Sequence, residues 1–184
     1  MSRLTLPVSR RAATAVPGGR PARRVGGAIP SLWWSSTVKA SAVMNTIAMQ
    51  EKPFYALTVE LLDCVRDHDY GRLSEICDDD FGIVDITMTG GSLVIRDRAA
   101  WEQWFTGLFA RLDSLSARTW SDITGYDAVR TGDMGYSVVE FDQTLITDDE
   151  KLRFSVVATV IWKRVDGVWK ESRYHSSLVG VEKI

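Results

Sequence analysis

Cysteine and histidine are scarce in this 184-residue chain, which contains two of each. Cys64 and Cys77 fall on predicted helices, so they indicate neither a disulfide framework nor a metal site, and a reducing compartment fits them. His68 lies at a predicted helix link and His175 on the last predicted strand, a spacing that does not match a metal site. We therefore expect no metal and no other cofactor.

The motifs of nucleotide-binding and covalent enzymes are also missing. The pairs Gly18-Gly19 and Gly90-Gly91 lack the strand-to-helix pattern of a phosphate loop, and no nucleophile elbow is present. The apolar stretch of the N-terminal region is broken by Pro30 and Lys39 and is too short to span a membrane. These absences exclude nucleotide binding, covalent catalysis and a membrane partner.

Acidic residues are absent from the first fifty positions, which hold seven of the 22 basic residues. Residues 51–184 therefore carry 15 basic and all 24 acidic residues, a net charge of −9. Nucleic acids are bound mainly through Lys and Arg, so an acidic body without a basic stripe argues against a nucleic-acid partner.

Residues 1–50 are rich in Arg, Pro, Gly, Ser and Ala, and we exclude them from the fold. They are typical of an organelle transit peptide, or of an export signal cleaved after Ala40-Ser41-Ala42. Alternatively, translation starts at Met44 or Met49. We predict one domain over residues 51–184 and a cytoplasmic location, with organelle targeting or export as the alternative.

Apolar periodicity predicts three helices in this domain. A stripe from Phe54 to Val65 predicts the first helix, and a second continues through Cys77 until the acidic run Asp78-Asp79-Asp80. The third begins after the capping residue Asp97. Its stripe is strongly aromatic and must lie against a sheet; it consists of Trp101, Trp104, Phe105, Leu108, Phe109 and Leu112.

Alternating and β-branched segments predict a hairpin before the third helix and a four-strand meander after it. The predicted hairpin strands are residues 81–88 and 93–95, and the meander strands are residues 117–129, 134–146, 152–163 and 168–179. Asp166-Gly167 is a two-residue turn suited to positive φ at both positions. This element order predicts an α+β fold with the helices on one face of a mostly antiparallel sheet.

The last hairpin resembles that of the nuclear transport factor 2-like superfamily. The resemblance rests on Trp162, Arg164, Asp166, Gly167, Trp169, Tyr174, His175 and Ser176, and it is closest to SnoaL-like proteins and the calcium/calmodulin-dependent protein kinase II association domain. The segment Leu61–Phe81 also looks like the start of that association domain. The resemblance implies a cone, in which a curved mixed sheet wraps a long helix, with two further N-terminal helices, and encloses a pocket. We also predict a homodimer through the outer face of the sheet.

Asp85 is the first catalytic candidate, because it lies among Ile83, Val84 and Ile86 on the strand after the acidic run. A carboxylate that faces a pocket suits general-base chemistry. Ketosteroid isomerases, which share the implied fold, carry their catalytic Asp at the equivalent strand position. Their oxyanion-hole Tyr matches Leu61 here. The alternative is that Asp85 points outward and is solvated.

His175 is the second catalytic candidate, as a proton shuttle or ligand contact in the Tyr174-His175-Ser176 triplet. Trp169, Glu171, Arg173 and His175 share one parity, so a solvent-exposed or subunit-interface face is the alternative.

Six residues are candidates for ligand binding. On alternating strands, Glu140 and Arg153 would orient a ligand if they faced inward. Val138 and Val160 stand where the kinase association domain carries pocket arginines, which disfavours a carboxylate ligand. We therefore predict a small, largely apolar ligand, with the aromatic residues filling the core as the alternative. The candidates are Trp101, Trp104, Phe105, Tyr136, Glu140 and Arg153.

These residues favour a cofactor-free isomerase, cyclase or dehydratase with Asp85 as base, assisted by His175 or Tyr136. The alternatives are a ligand-binding protein without turnover and a self-assembly module.

Overall fold

The computed structural model describes residues 46–86 and 92–184. The predicted turn at Gly90-Gly91 and the leader up to residue 45 lie outside these ranges. After a short helical turn at residues 46–50, the described chain forms three helices and six strands. They are α1 (Tyr55–Asp67), α2 (Tyr70–Ile76), β1 (Cys77–Ile86), β2 (Ser92–Ile95), α3 (Arg98–Ser114), β3 (Arg118–Thr131), β4 (Met134–Ile146), β5 (Lys151–Val165) and β6 (Val168–Lys183).

The six strands form one sheet in the order β2-β1-β6-β5-β4-β3. All neighbours are antiparallel except β1 and β6, which are parallel. Side chains alternate between two faces of this sheet. We call the helix-covered side the inner face and the opposite side the outer face. The buried inner-face residues of β4 and β5 are Ser137, Val139, Phe141, Ala158, Val160 and Trp162. The predicted α+β fold class is confirmed.

The ends of the helices follow local signals in the sequence. The apolar stripe of α1 buries Thr58, Leu61 and Cys64. The side chain of Asp97 accepts a hydrogen bond of 2.8 Å from the Ala100 amide at the start of α3, as the sequence predicts. His68 ends α1 with a φ of 54°.

No helix in the described ranges combines the length and the hydrophobicity needed to cross a membrane.

Phe54 closes one end of the inner face. Its backbone has a φ of 63°, and its ring stacks on Trp162 at 5.5 Å and meets Trp169 edge-on at 4.9 Å. The ring lies over Gly135, where a Cβ atom would collide with it and would lie 2.7 Å from the Val129 carbonyl oxygen. Glycine is therefore required where α1 meets β4.

The structure corrects the predicted end of the second helix. α2 ends at Ile76, so Cys77 and the acidic run Asp78–Asp80 belong to β1. Basic side chains of β5 and β6 supply partners for Asp78 and Asp80. Asp78 lies 3.3 Å from the Lys163 Nζ, and Asp80 lies 3.1 Å from an Arg173 guanidinium nitrogen. Cross-strand pairing therefore overrides the usual preference of aspartate for turns.

Candidate functional site

The parallel pairing of β1 and β6 brings the side chains of Asp85, Tyr174 and Ser176 together on the inner face. Ile83 pairs with Tyr174, and Val84 pairs with His175. Ile83 is buried in the core, so the alternation places Asp85 on the inner face, where the Ser176 hydroxyl donates a hydrogen bond to Asp85 Oδ1. Asp85 is half-buried. The inward orientation predicted as one alternative for Asp85 is the one that the structure adopts.

Burial changes along the inner face of β6. Glu171 is 2% exposed, whereas Leu178 is 39% exposed and Val181 is 52% exposed. Both apolar residues share the inner face, because they pair with Val156 and Phe154 of β5. Ser176, the partner of Asp85, is buried between these extremes. Asp85 therefore stands where the packed end of the inner face meets an accessible apolar end.

Tyr174 lies beside this carboxylate and is held in its protonated form. Burial raises the pKa of the Tyr174 phenol, and the nearby carboxylates of Asp85 and Glu171 raise it further, while a hydrogen bond with Ser176 opposes the rise. The phenol therefore keeps its proton throughout the physiological range.

Glu171 is a second inward carboxyl group, deeper in the packed end. The Cys77 thiol donates a hydrogen bond of 3.2 Å to its Oε2. Burial raises the Glu171 pKa to about 7, and the thiol contact opposes that rise. Burial together with the Glu171 charge also raises the pKa of Cys77 far above its ordinary value. Glu171 thus titrates near neutral pH, and Cys77 stays a thiol.

The structure separates His175 from Asp85. Ile161 pairs with Arg173 while Trp162 pairs with Glu171, so Ser172 is an extra residue in β6. This β-bulge changes the face on which the following side chains lie. Glu171 points inward and His175 points outward, although the sequence alternation places them on one face. His175 is exposed and lies on the opposite face from Asp85.

Three of the predicted ligand-binding residues lie on the outer face. Tyr136 and Glu140 alternate with the inward Ser137 and Val139, and both are exposed. Arg153 alternates with inward residues of β5 and forms an ion pair of 2.6 Å with Glu182. None of these three side chains lines the inner face of the described chain.

The three aromatic candidates of α3 are packed into the core. Trp101 has no exposed surface, and its ring contacts Tyr70, Phe81 and Phe105 at centroid distances of 5.1–5.7 Å. Trp104 is half-buried and meets Phe105 edge-on at 4.6 Å. Within the described ranges, the Trp101 indole nitrogen has no hydrogen-bond partner. These contacts match the alternative that the aromatic residues form the core.

One further feature is a groove that does not include Asp85 in its lining. An open groove of about 420 Å³ runs along the outside of α1 and α2, and it is lined by Ala56, Val59, Glu60, Asp63, Cys64, Asp67, Asp69 and Arg72. Burial raises the pKa of Cys64 in this groove to about 11. No group of three or more metal-ligating side chains occurs in residues 46–86 and 92–184.

Sequence reasoning missed Tyr174, Ser176 and Glu171 as site residues. Tyr174 and Ser176 flank His175 in the triplet that carries the family resemblance, and the structure places these two residues, rather than His175, on the face that holds Asp85. The bulge at Ser172 decides which side chains of β6 face inward, and it has no local signature in the sequence.

Comparison with known proteins places this arrangement in a family. The model of the SnoaL-like domain matches residues 55–182. This range includes the three helices and all six strands, apart from Lys183 at the end of β6. The chain belongs to the SnoaL-like family. This match confirms the predicted resemblance to the nuclear transport factor 2-like superfamily and its SnoaL-like members, and a solved structure described as NTF2-like from Pseudomonas putida shares the fold at 18% identity. No curated protein matches the chain.

Solved structures similar to this SnoaL-like protein share its fold at low sequence identity. A type 3 hexachlorocyclohexane dehydrochlorinase from Novosphingobium barchaimii is 15% identical, with a TM-score of 0.52 over 82% of this chain and 93% of that chain. A protein provisionally described as a scytalone dehydratase from Novosphingobium aromaticivorans is 10% identical, with a TM-score of 0.58 over 83% and 91%.

A third similar structure is provisionally described as a calcium/calmodulin-dependent protein kinase II association domain from Xanthomonas campestris. It is 15% identical, with a TM-score of 0.55 over 67% of this chain and 84% of that chain. At these identities the likeness shows the fold alone, so the chemistry has to be argued from the residues of this chain.

Proposed function

We propose that this SnoaL-like protein binds a small, largely apolar molecule on its inner face and transfers a proton on it, with Asp85 as the general base and no cofactor. The observation that carries the proposal is the inward Asp85 carboxylate, fixed by Ser176 beside apolar inner-face residues. A fixed carboxylate in such surroundings suits the removal of a proton from carbon.

The reaction class is an isomerisation, cyclisation or elimination that starts beside a carbonyl group. Asp85 takes a proton from the carbon next to the carbonyl, and the electron pair of the broken C–H bond moves into an enolate. Return of that proton from Asp85 to a different carbon completes an isomerisation and restores the carboxylate. Two of the similar structures bear the names of elimination enzymes, a dehydrochlorinase and a dehydratase, which supports this class.

Proton exchange with solvent tests this proposal without knowledge of the natural substrate. The protein is incubated in D₂O with enolisable ketones such as acetophenone and 2-tetralone, and deuterium uptake at carbon is measured by mass spectrometry. We expect Asp85→Asn to slow the protein-dependent uptake about 100-fold, because general-base catalysis contributes on that order. Asp79→Asn is the matched control, since Asp79 is an exposed residue of the same strand.

Exchange that proceeds equally in wild type and Asp85→Asn contradicts the proposal. Saturable ligand binding without exchange, unchanged by Asp85→Asn, instead favours the alternative of a ligand-binding protein without turnover. Circular dichroism of both variants shows whether the fold is retained.

We also propose a homodimer formed through the outer face. On the outer face, Tyr136 of β4 lies beside Ile161 of β5, and His175 of β6 separates Thr159 of β5 from Val84 of β1. Val84 and Tyr136 are 37% and 40% exposed, and exposed apolar side chains on one face of a sheet support an interaction surface there. Thr159 lies in the middle of it, between Val138 and His175.

Sedimentation velocity tests this assembly. We expect a dimer of the wild-type chain and a monomer of Thr159→Lys, because the substitution places a charge at the centre of the interface. The control is Thr131→Lys at the exposed end of β3. A monomeric wild type contradicts the dimer, and a larger ring favours the self-assembly module.

A further inference from the structure

We infer that the segment before α1, residues 46–53, is a hinged strap whose opening admits the ligand to the inner face. We call this segment the N-terminal strap. The inference rests on the proposed binding of a small apolar molecule on that face, and it adds how the molecule enters. Three observations carry it: where the strap packs, how weakly it is held there, and the backbone conformation of Phe54, which joins it to α1.

The strap packs at the far end of a row of residues that leads to Asp85. Antiparallel pairing aligns buried inner-face residues of four adjacent strands, and Ser176 at one end of the row donates its hydrogen bond to Asp85. From β3 to β6, the row consists of Tyr126, Val139, Ala158 and Ser176. Met49 of the strap packs against the cluster that contains the first three. The cluster also borders the accessible apolar end, because Val156 packs against it and pairs with Leu178. Met49 therefore covers the β3 side of the proposed ligand site.

The strap is largely exposed, and weak contacts join it to β3. All of its residues are exposed except Met49 and Lys52, which are half-buried. The Tyr126 hydroxyl donates a hydrogen bond of 2.9 Å to the Pro53 carbonyl oxygen, and Lys52 forms an ion pair with the exposed Asp127. A single hydrogen bond and an exposed ion pair each add little to stability. A segment held in this way opens while the rest of the fold stays intact.

Phe54 supplies the hinge of the strap. Its φ of 63° lies in the left-handed region, which is costly for a bulky side chain. Its ring is stacked on Trp162, and rotation about its φ moves the strap while the ring and α1 stay in place. The φ of Pro53 is fixed by the proline ring, so the motion is concentrated next to Phe54. The closed strap therefore keeps a strained backbone that opening allows to relax.

Amide hydrogen exchange, followed by NMR on the full chain, measures this opening. The Tyr55 amide donates to the Lys52 carbonyl oxygen across the hinge, whereas the Thr58 amide donates to the Phe54 carbonyl oxygen without crossing it. Rotation at Phe54 therefore breaks the first hydrogen bond and keeps the second. We expect Lys52→Met to speed exchange at Tyr55 about two- to fivefold and to leave Thr58 unchanged, because the loss of an exposed ion pair has an effect of this size.

Salt and two further variants sharpen this measurement. Salt screens an exposed ion pair, so exchange at Tyr55 should rise with ionic strength in the wild type and stay constant in Lys52→Met. Tyr126→Phe removes the hydrogen bond from β3 to the strap and should speed exchange at Tyr55 about fivefold. The control is Lys183→Met, which removes the exposed ion pair between Lys183 and Glu150 and should match the wild type.

The association rate of an apolar probe shows whether the strap controls access to the site. The probe is prodan, an uncharged naphthyl ketone whose fluorescence shifts when it leaves water, and its association is followed by stopped-flow fluorescence. When only the open form admits a ligand, the apparent association rate is proportional to the open fraction. We expect Lys52→Met and Tyr126→Phe to speed association by the same factors as exchange at Tyr55, and Lys183→Met to leave it unchanged.

Four results would count against these expectations. The inference is overturned if neither strap variant changes exchange at Tyr55, or if exchange rises without faster association. Equal loss of protection at Tyr55 and Thr58 overturns it as well, because α1 then unfolds and no hinge operates. Failure of prodan to bind any of the proteins contradicts both the role of the strap and the proposed ligand site. Association that follows the strap, without deuterium uptake that depends on Asp85, contradicts only the proposed proton transfer.

Discussion

Trp162→Ala is expected to lower the free energy of unfolding by about 4 kcal/mol, in the range that buried Trp and Phe truncations cost. The side chain has no exposed surface and stacks on Phe54. Its indole nitrogen donates a hydrogen bond of 3.0 Å to Ser137 Oγ, and Ser137 is also fully buried. The truncation therefore opens a cavity and leaves a buried hydroxyl without this donor. Urea unfolding followed by far-ultraviolet circular dichroism measures the loss.

Two variants make this result interpretable. Trp162→Phe keeps an aromatic ring against Phe54 and is expected to cost about half as much, so it remains measurable if the alanine variant does not fold. Trp120→Ala removes a Trp that is only half-buried, with its indole nitrogen bound to the exposed Asp122, and should cost less than about 1 kcal/mol. A loss below about 1 kcal/mol for Trp162→Ala would show that this end of the core is not tightly packed.

Local patterns in the sequence were sufficient to predict the elements around that core. The apolar stripe predicted α1, and Asp166-Gly167 predicted the β5–β6 turn, where both residues have positive φ of 49° and 85°. Each signal is contained within a few neighbouring residues. Such signals depend little on the rest of the fold, and these predictions are confirmed.

The side of the sheet on which a residue lies could not be predicted in the same way. Alternation placed Glu171 and His175 on one face, and it is correct up to the bulge at Ser172, beyond which the two faces exchange. The bulge is set by pairing with β5, which depends on residues distant in sequence. The end of the second helix was also mispredicted, because Asp78 belongs to β1 and its partner Lys163 lies 85 residues away in the chain.

Glu171→Gln is expected to remove a pH dependence of stability that the wild-type protein shows. The folded protein holds the Glu171 proton up to about pH 7, because burial raises its pKa from the ordinary value of 4.5. Between those two values the folded state binds a proton that the unfolded chain has lost, so the free energy of unfolding falls as the pH rises. A pKa increase of this size is equivalent to about 3 kcal/mol in the free energy of unfolding.

The measurement is a difference between two proteins across the same pH range. Contributions from groups distant from Glu171 are common to wild type and Glu171→Gln, so they cancel in the difference. The free energy of unfolding of the variant minus that of the wild type should rise by about 3 kcal/mol between about pH 4 and about pH 8. Glu140→Gln, on the exposed outer face, supplies the matched comparison and should give a flat difference.

A flat difference for Glu171→Gln would mean that Glu171 loses its proton as readily in the folded protein as in water. It would then be charged at neutral pH beside the Cys77 thiol, and the packed end of the inner face would have to be open to solvent. A rising difference would instead show that the Glu171 carboxyl stays neutral below about pH 7. The proton transfer proposed above assigns the base to Asp85 and would then not need Glu171 to be ionised.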